Sequence, residues 1–331
     1  MKRIKIRSTI AALAAALVTL HFALAPSAGH AQAWPSKPVR LVAPFPPGSS
    51  IDLIARMIGP PMGEKLGQSI VIENKVGAGG NVGIDVVAKS PPDGYTAVMG
   101  ALSTHAVNPS LYRTMPYDAA KDFAPISNVA ITPNVLIVSV KSPIHTLPEL
   151  IAYAKANPGK VNFGSGSNGS AGHLAGELFK IDTGTDVMHI PYKGGAPALQ
   201  ALLAGDTQFM FDNLANAMAQ VKGGTVRPIA VTTAQRSKLA PDLPTMAEAG
   251  MPGFDISTWF GLLAPAGTPP EVIAKWNADV VKVLNSPEVR EKMLAQGAEP
   301  SPTTPAEFAA FIAKERDKYA KIVKASGAKV D

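Results

Sequence analysis

The chain contains no cysteine. Disulfides, a thiol nucleophile, thiolate metal ligands and a lipidated cysteine are therefore all excluded, and the fold must be held by apolar burial alone. Histidine is scarce as well. Beyond residue 33 only His105, His145, His173 and His189 remain, no two of them are spaced i,i+4, and HExxH is absent, so neither a zinc site nor any other metal centre is expected. The phosphate-loop pattern GxxxxGK[ST] is missing too. GxSxG occurs nowhere: Ser165 follows Gly164 directly, and Ser170 has Asn168 two positions before it. That removes the usual setting of a strand-to-helix serine nucleophile. A secreted hydrolase would need an activated nucleophile that this sequence does not offer, so no enzyme activity, and no cofactor, is expected.

Only one long apolar run is present, and it lies at the start. Lys2, Arg3, Lys5 and Arg7 precede "TIAALAAALVTLHFALA", and "GHAQA" supplies the small residues of a cleavage site. The run before His21 is short for a membrane span. Residues 1–33 therefore read as an export signal cut near Ala31 or Ala33. The formal net charge of +6 comes from 31 basic and 25 acidic side chains. Four of the basic ones sit in the signal, which leaves 27 against 25, about +2. So weak an excess gives no reason to expect nucleic acid as a partner.

What is present is an alternation of short apolar runs and amphipathic segments. "VRLVAPF", "SIVIENK", "YTAVMGA", "VNFGSG", "VMHIPY", "TQFMFD" and "VRPIAVTT" read as strands, most of them followed by a helical pattern. This predicts an α/β protein with parallel sheets and crossover helices. Thr146, Thr245, Thr268 and Thr304 each precede a glutamate by three residues and are expected to open helices as capping boxes, with Pro269 and Pro305 at first helical positions. Residues 125–140 and 254–267 are long, apolar and non-helical, and each is expected to run from one sheet into another. No internal repeat is evident.

Four loops rich in glycine and serine follow predicted strands: "FPPGSSID", "GALSTHAVN", "GSGSNGSAGH" and "YKGGAPA". Such loops present free N–H groups and the positive end of a helix dipole. "VGAGGNVG" has dinucleotide-like glycines, but the strand after it, "YTAVMGA", ends without the required acid. Amides, hydroxyls and helix starts suit a carboxylate. Each hydrogen bond to a charged group contributes about 1.5–3 kcal/mol, so a few suffice for micromolar binding without a buried cation. Ser170 reads equally well as a helix N-cap.

The stretches "WPSKPVRLVAPFPPG", "ENKVGAGGNVG", "GSGSNGSAGHLAGELF", "HIPYKGGAPALQALLAGDTQFMFDN", "PTMAEAGMPGF" and "WFGLLAPAGTP" resemble the extracytoplasmic solute-binding proteins of tripartite tricarboxylate transporters, the Bug family. The resemblance implies a two-domain, type II periplasmic-binding-protein fold. Each domain would be a mixed, mostly parallel sheet flanked by helices, with the ligand in the interdomain cleft. Residues 34–130 and 257–331 would form the first domain and 131–256 the second. It implies a monomeric periplasmic receptor that hands a small carboxylate to membrane permease subunits; a sensor docking to a membrane signalling protein is the alternative. The ligand remains open among mono- and dicarboxylates, amino acids and aromatic acids.

Carried over by residue, the first-domain contacts are Phe45, Gly48, Ser49 and Ser50. The second-domain contacts are Ser165, Gly169, Ser170 and His173, with Asp212 at the end of "FMFD". Ser103 and His105 would border the far end of the ligand, and Phe45, His105 and Trp259 offer room for an aromatic acid. Two positions depart from the family: Gly48 is followed by Ser49 instead of a second glycine, and Ile51 stands where a hydroxyl is common. Ser49 fits an N-cap with Asp52 as its partner, Asp212 either meets an ammonium group or caps the next helix, and His173 either meets ligand or is structural.

Overall fold

A computed structural model of the protein describes residues 34–330. The expected export signal and its cleavage site lie outside the described residues. The first strands are β1 (Val39–Ala43), β2 (Ile70–Asn74) and β3 (Thr96–Ala101), connected through α1 (Ser50–Leu66) and α2 (Asn81–Ala88). A π turn (Ser103–Val107) and α3 (Asn108–Leu111) lead into β4 (Phe123–Ser139) and α4 (Leu147–Ala156). β5 (Val161–Ser165), α5 (Ala171–Thr183), β6 (Val187–Pro191), α6 (Gly195–Ala204) and β7 (Phe209–Asn213) come next. They are followed by α7 (Leu214–Lys222), β8 (Val226–Val231), β9 (Ser257–Pro265), α8 (Pro270–Asn285), α9 (Pro287–Ala295), β10 (Glu299–Pro300) and α10 (Pro305–Ser326).

The strands form one continuous sheet in the order β2-β1-β3-β9-β4-β7-β5-β6, with β8 and β10 also paired to β4. Its outer parts are parallel, as the β/α alternation requires: β1 lies between β2 and β3, and β5 pairs with β6 and β7. The centre is antiparallel, because β4 and β9 are long returning strands rather than members of β-α-β units. β4 pairs with β9 as far as Pro133, then with β7 and β8 from Asn134 and Val135. Both stretches singled out as sheet-to-sheet connections are thus the strands at the middle of the fold. Thr232 fastens the crossing: its N–H donates to the Asn134 carbonyl, and its hydroxyl bonds to the carbonyls of Asn134 and Ile256.

The strand orders 2-1-3 and 6-5-7 make the two ends of the sheet copies of one plan, a structural repeat that the sequence does not announce. One hydrophobic cluster reaches from Val42 and Val98 to Phe163 and Phe209. The last helix, α10, adds Phe308, Ile312, Tyr319, Ile322 and Val323 at the spacing expected of a buried face.

Helix starts follow the capping logic at Thr304 and Thr146 and depart from it at Thr245 and Thr268. Thr304 and Glu307 form a full reciprocal box, with Pro305 at the first helical position. Thr146 accepts from the N–H of Glu149. Thr245 and Glu248 also bond reciprocally, but around a turn rather than a described helix. The Thr268 box does not form. Its hydroxyl donates to the Pro265 carbonyl, Pro269 becomes the N-cap, and Pro270 opens α8. Two consecutive prolines with no N–H to offer move the start one residue on.

Candidate functional site

The strand order turns back at β1 and again at β5, and the loops leaving such strands are where open α/β sheets hold ligands. Each loop here ends at the N-terminus of a helix. Ahead of α1, Gly48 has φ 81° and Ser49 is the N-cap. The Ser49 hydroxyl donates to the Pro46 carbonyl at 2.7 Å, so it is not committed to capping, while the Gly48 N–H donates to the Asp52 carboxylate at 2.9 Å. Asp52 is buried and also accepts from Arg56 and Asn74. Burial pushes its pKa up, but the hydrogen bonds from Arg56, Gly48 and Asn74 outweigh that and hold it below the ordinary value.

Ahead of α5 the same geometry recurs. Gly169 has φ 75° and Ser170 is the N-cap, its hydroxyl donating to the Ser167 carbonyl at 2.8 Å and accepting from the His173 N–H. The Gly169 N–H donates to His173 Nδ1 at 3.0 Å. A nitrogen that accepts carries no proton, so this imidazole is neutral, and burial lowers its pKa to about 4. His173 stacks on His189 with ring centroids 4.0 Å apart. His189 shares a 2.6 Å hydrogen bond with Ser165 Oγ, and burial followed by the neighbouring His173 lowers its pKa to about 3. On the other side of His173, Nε2 lies 3.8 Å from Glu177, whose carboxyl burial pushes upward.

Both helix starts open on one cavity of about 370 Å³. Ser49 and Ser50 line it from the first, and Ser167, Asn168, Gly169 and Ser170 from the second. Ser103, at the head of the π turn, and Asn108 add polar atoms, while Phe45, Leu111, Tyr112, Phe260 and Val330 form an apolar wall. No Lys, Arg, His, Asp or Glu is among the described residues that line it. The free N–H groups in the first turns of α1 and α5 are the positive features of the cavity, and they suit a compact anion. A larger groove of about 940 Å³ runs between α1, α8 and α9. Its wall mixes Arg56, Lys65 and Lys282 with Glu64 and Glu288, away from the loops at the turning points of the sheet.

Of the eleven residues expected to contact ligand, Phe45, Ser49, Ser50, Ser103, Gly169 and Ser170 line the cavity. The other five are not among the residues that line it. Gly48 holds its loop through Asp52. Ser165 is fully buried, donating to the Ser167 carbonyl and bonded to His189. His173 braces Gly169 from beneath. His105 is buried against Tyr117 and Phe123, with Nδ1 at 2.9 Å from the Thr104 hydroxyl, and burial lowers its pKa to about 3. Asp212 accepts the Asn213 N–H, while Asn213, not Asp212, caps α7. Trp259 is buried too, its indole N–H donating to Glu315, so the aromatic ring of β9 at the cavity is Phe260. Tyr112, Phe260 and Val330 were not anticipated. Each arrives through a long-range pairing that leaves no local signature. No cluster of three potential metal ligands occurs among the described residues.

Comparison with known proteins gives a consistent result. The profile of the tripartite tricarboxylate transporter family receptor matches residues 54–328. The protein BugT of Bordetella pertussis is 40% identical over 301 residues, covering 91% of this chain and 92% of BugT. Among solved structures, Rpa4515 of R. palustris with adipate is 40% identical with a TM-score of 0.77, covering 90% of this chain and 100% of that one. MatC of Rhodopseudomonas palustris with bound malate is 33% identical with a TM-score of 0.73, covering 88% and 100%.

Proposed function

The chain belongs to the tripartite tricarboxylate transporter receptor family, and from that premise we propose that it captures a small carboxylate in the 370 Å³ cavity and presents it to the membrane permease subunits of such a transporter. The observation that carries this reading is that two helix N-termini, one from each repeat of the fold, open on a single cavity with no ionised side chain among the described residues that line it. Similar proteins solved with adipate and malate support an organic acid as the cargo. Ser49, Ser50, Ser103 and Ser170 are assigned the polar contacts, with Phe45 against the ligand's apolar part. Gly48, Ser165, Gly169, His173, His105 and Asp212 are assigned to shaping and bracing the loops.

Residues 34–130 with 257–331, and residues 131–256, are assigned as two domains that close on the acid. The hinge lies where β4 changes partners at Asn134 and where Thr232 bonds to Ile256. Export to the periplasm as a monomer fits a receptor of this family. Binding without turnover fits a site in which the serines bond to loop carbonyls and are not paired with an exposed base.

The test is a thermal-shift and calorimetric screen of the refolded protein, residues 34–331, against mono- and dicarboxylates, amino acids and aromatic acids. At about 100 times Kd a bound acid adds about 2.7 kcal/mol of stability, a shift of several degrees. Because dipoles rather than side-chain charges hold the anion, affinity should fall only weakly with salt. Silence across the panel, or a steep salt dependence, would sink the reading.

A further inference from the structure

α10 ends at Gly327, whose φ of 68° turns the chain out of the helix. The residues that follow run back to the cavity. The Val330 N–H donates to the Leu111 carbonyl at 2.9 Å, the Arg113 N–H donates to the Val330 carbonyl at 3.3 Å, and Val330 forms a parallel bridge with Tyr112. In this extended stretch side chains alternate: Lys329 is exposed, while Ala328 and Val330 are half-buried and pack on the core. Val330 thereby joins Leu111 and Tyr112 in the cavity wall, although all four glycine- and serine-rich loops lie far before it in the chain. Leu111 also leans on the second helix start, since a Cβ on Gly169 would lie 2.7 Å from its Cδ2.

We propose that Val330 is a specificity-determining residue: the segment after α10 is a wall of the ligand cavity, and the bulk of its valine sets how long or wide an apolar chain the bound acid carries. This rests on the carboxylate-receptor reading and deepens it. The serines and helix starts are indifferent to what joins the polar ends of a ligand; the wall is not. Val330 is placed by main-chain hydrogen bonds that any residue but proline can make at this position. Its side chain can therefore be varied without dismantling the segment.

Calorimetric titration of succinate, adipate and suberate into the wild type, Val330→Ala and Val330→Phe tests the proposal, with thermal midpoints taken first to establish folding. Removing two methyl groups should move the suberate-to-succinate affinity ratio at least about tenfold towards the longer acid, and Val330→Phe should move it the other way. Should Val330→Phe not fold, the alanine variant decides alone. A ratio unchanged within about threefold in a folded variant that still binds would overturn the wall and leave the receptor reading intact. If the wild type binds none of these nor any other acid of the wider panel, the receptor reading falls and takes this inference with it.

Discussion

At the first helix start the N–H of Gly48 donates to a carboxylate, Asp52; at the second, the N–H of Gly169 donates to an imidazole, His173. Apart from that, and from the capping bond that the Ser170 hydroxyl accepts from the His173 N–H and the Ser49 hydroxyl does not make, the two are alike. The glycine has positive φ, the serine after it is the N-cap with ψ near 157–158°, and the serine hydroxyl bonds to the carbonyl three residues back. The acceptor in each case lies four residues beyond the glycine. A charged acceptor must be neutralised, and Asp52 is met by Arg56 and Asn74. A neutral acceptor needs no counterion, and His173 is packed against another neutral ring. The first start is therefore an ionic network with its arginine in solvent. The second is a buried stack of two neutral imidazoles, in which the loop glycine donates to a ring nitrogen and not to a carboxylate.

The change with the largest expected effect removes the ionic acceptor. Asp52→Ala removes the carboxylate that accepts from the Gly48 N–H, Arg56 Nε and the Asn74 amide, and opens a small void. It should cost about 3 kcal/mol of stability, read from the midpoint and slope of urea unfolding. A cost below about 1 kcal/mol would mean that the network is ornamental and that the loop is held by Ser49 and Pro46 alone.

A smaller effect separates the two glycines. Both pay the strain of a side chain at positive φ, about 1 kcal/mol, if replaced by alanine. At Gly48 a Cβ would meet nothing within 4 Å, whereas at Gly169 it would meet Leu111 Cδ2 at 2.7 Å. Gly48→Ala should therefore cost about 1 kcal/mol and Gly169→Ala about 2 kcal/mol. Only Gly169→Ala should also displace Leu111 and weaken acid binding, by about tenfold. Equal losses for the two variants would show that the packing of Leu111 against the second helix start has no energetic weight.

Much of this was open to reading from residues alone. Short apolar runs bounded by glycine and proline located the strands, and the two long apolar stretches identified β4 and β9, because each of these signals is local. Glycine and serine after a strand pointed to both helix starts for the same reason. The kinship of the two loops was also legible, as Gly48-Ser49-x-x-Asp52 and Gly169-Ser170-x-x-His173, but two matched positions and an Asp/His exchange are too few to stand out as a repeat. The family resemblance placed His105, Ser165 and His173 at the ligand; in the structure His105 Nδ1 meets the Thr104 hydroxyl, the Ser165 hydroxyl donates to the Ser167 carbonyl, and His173 Nδ1 accepts from Gly169, pairings that matching motifs does not resolve. Tyr112, Phe260 and Val330 were beyond local inference, because only the pairing of distant segments brings them to the cavity.

The two acceptors should also part company in acid, each in its own range. His173 and His189 have folded pKa values near 4 and 3, against 6.5 for a free histidine. As pH falls below about 6.5 the opened form gains protons that the closed form refuses, so the stability of the second helix start, complete above that pH, declines steadily down to about 4. Each unit of separation is worth up to about 1.4 kcal/mol per histidine. Glu177 works the other way, because its raised pKa favours the closed, protonated form as the medium becomes acidic. Asp52 has a pKa held below 3.8, so the first helix start keeps its stabilisation throughout this range and loses it only under stronger acid. Amide exchange read as protection factors, which removes the intrinsic effect of pH, distinguishes the two. Between pH 7.5 and 5.5 protection at residues 166–173 should drop by about tenfold while residues 45–52 hold theirs. The same experiment on His173→Asn, which keeps an acceptor but cannot titrate, should shrink the drop to the part that His189 contributes. If both segments lose protection together, or the variant behaves as the wild type does, then the imidazole is not what makes the second helix start sensitive to acid.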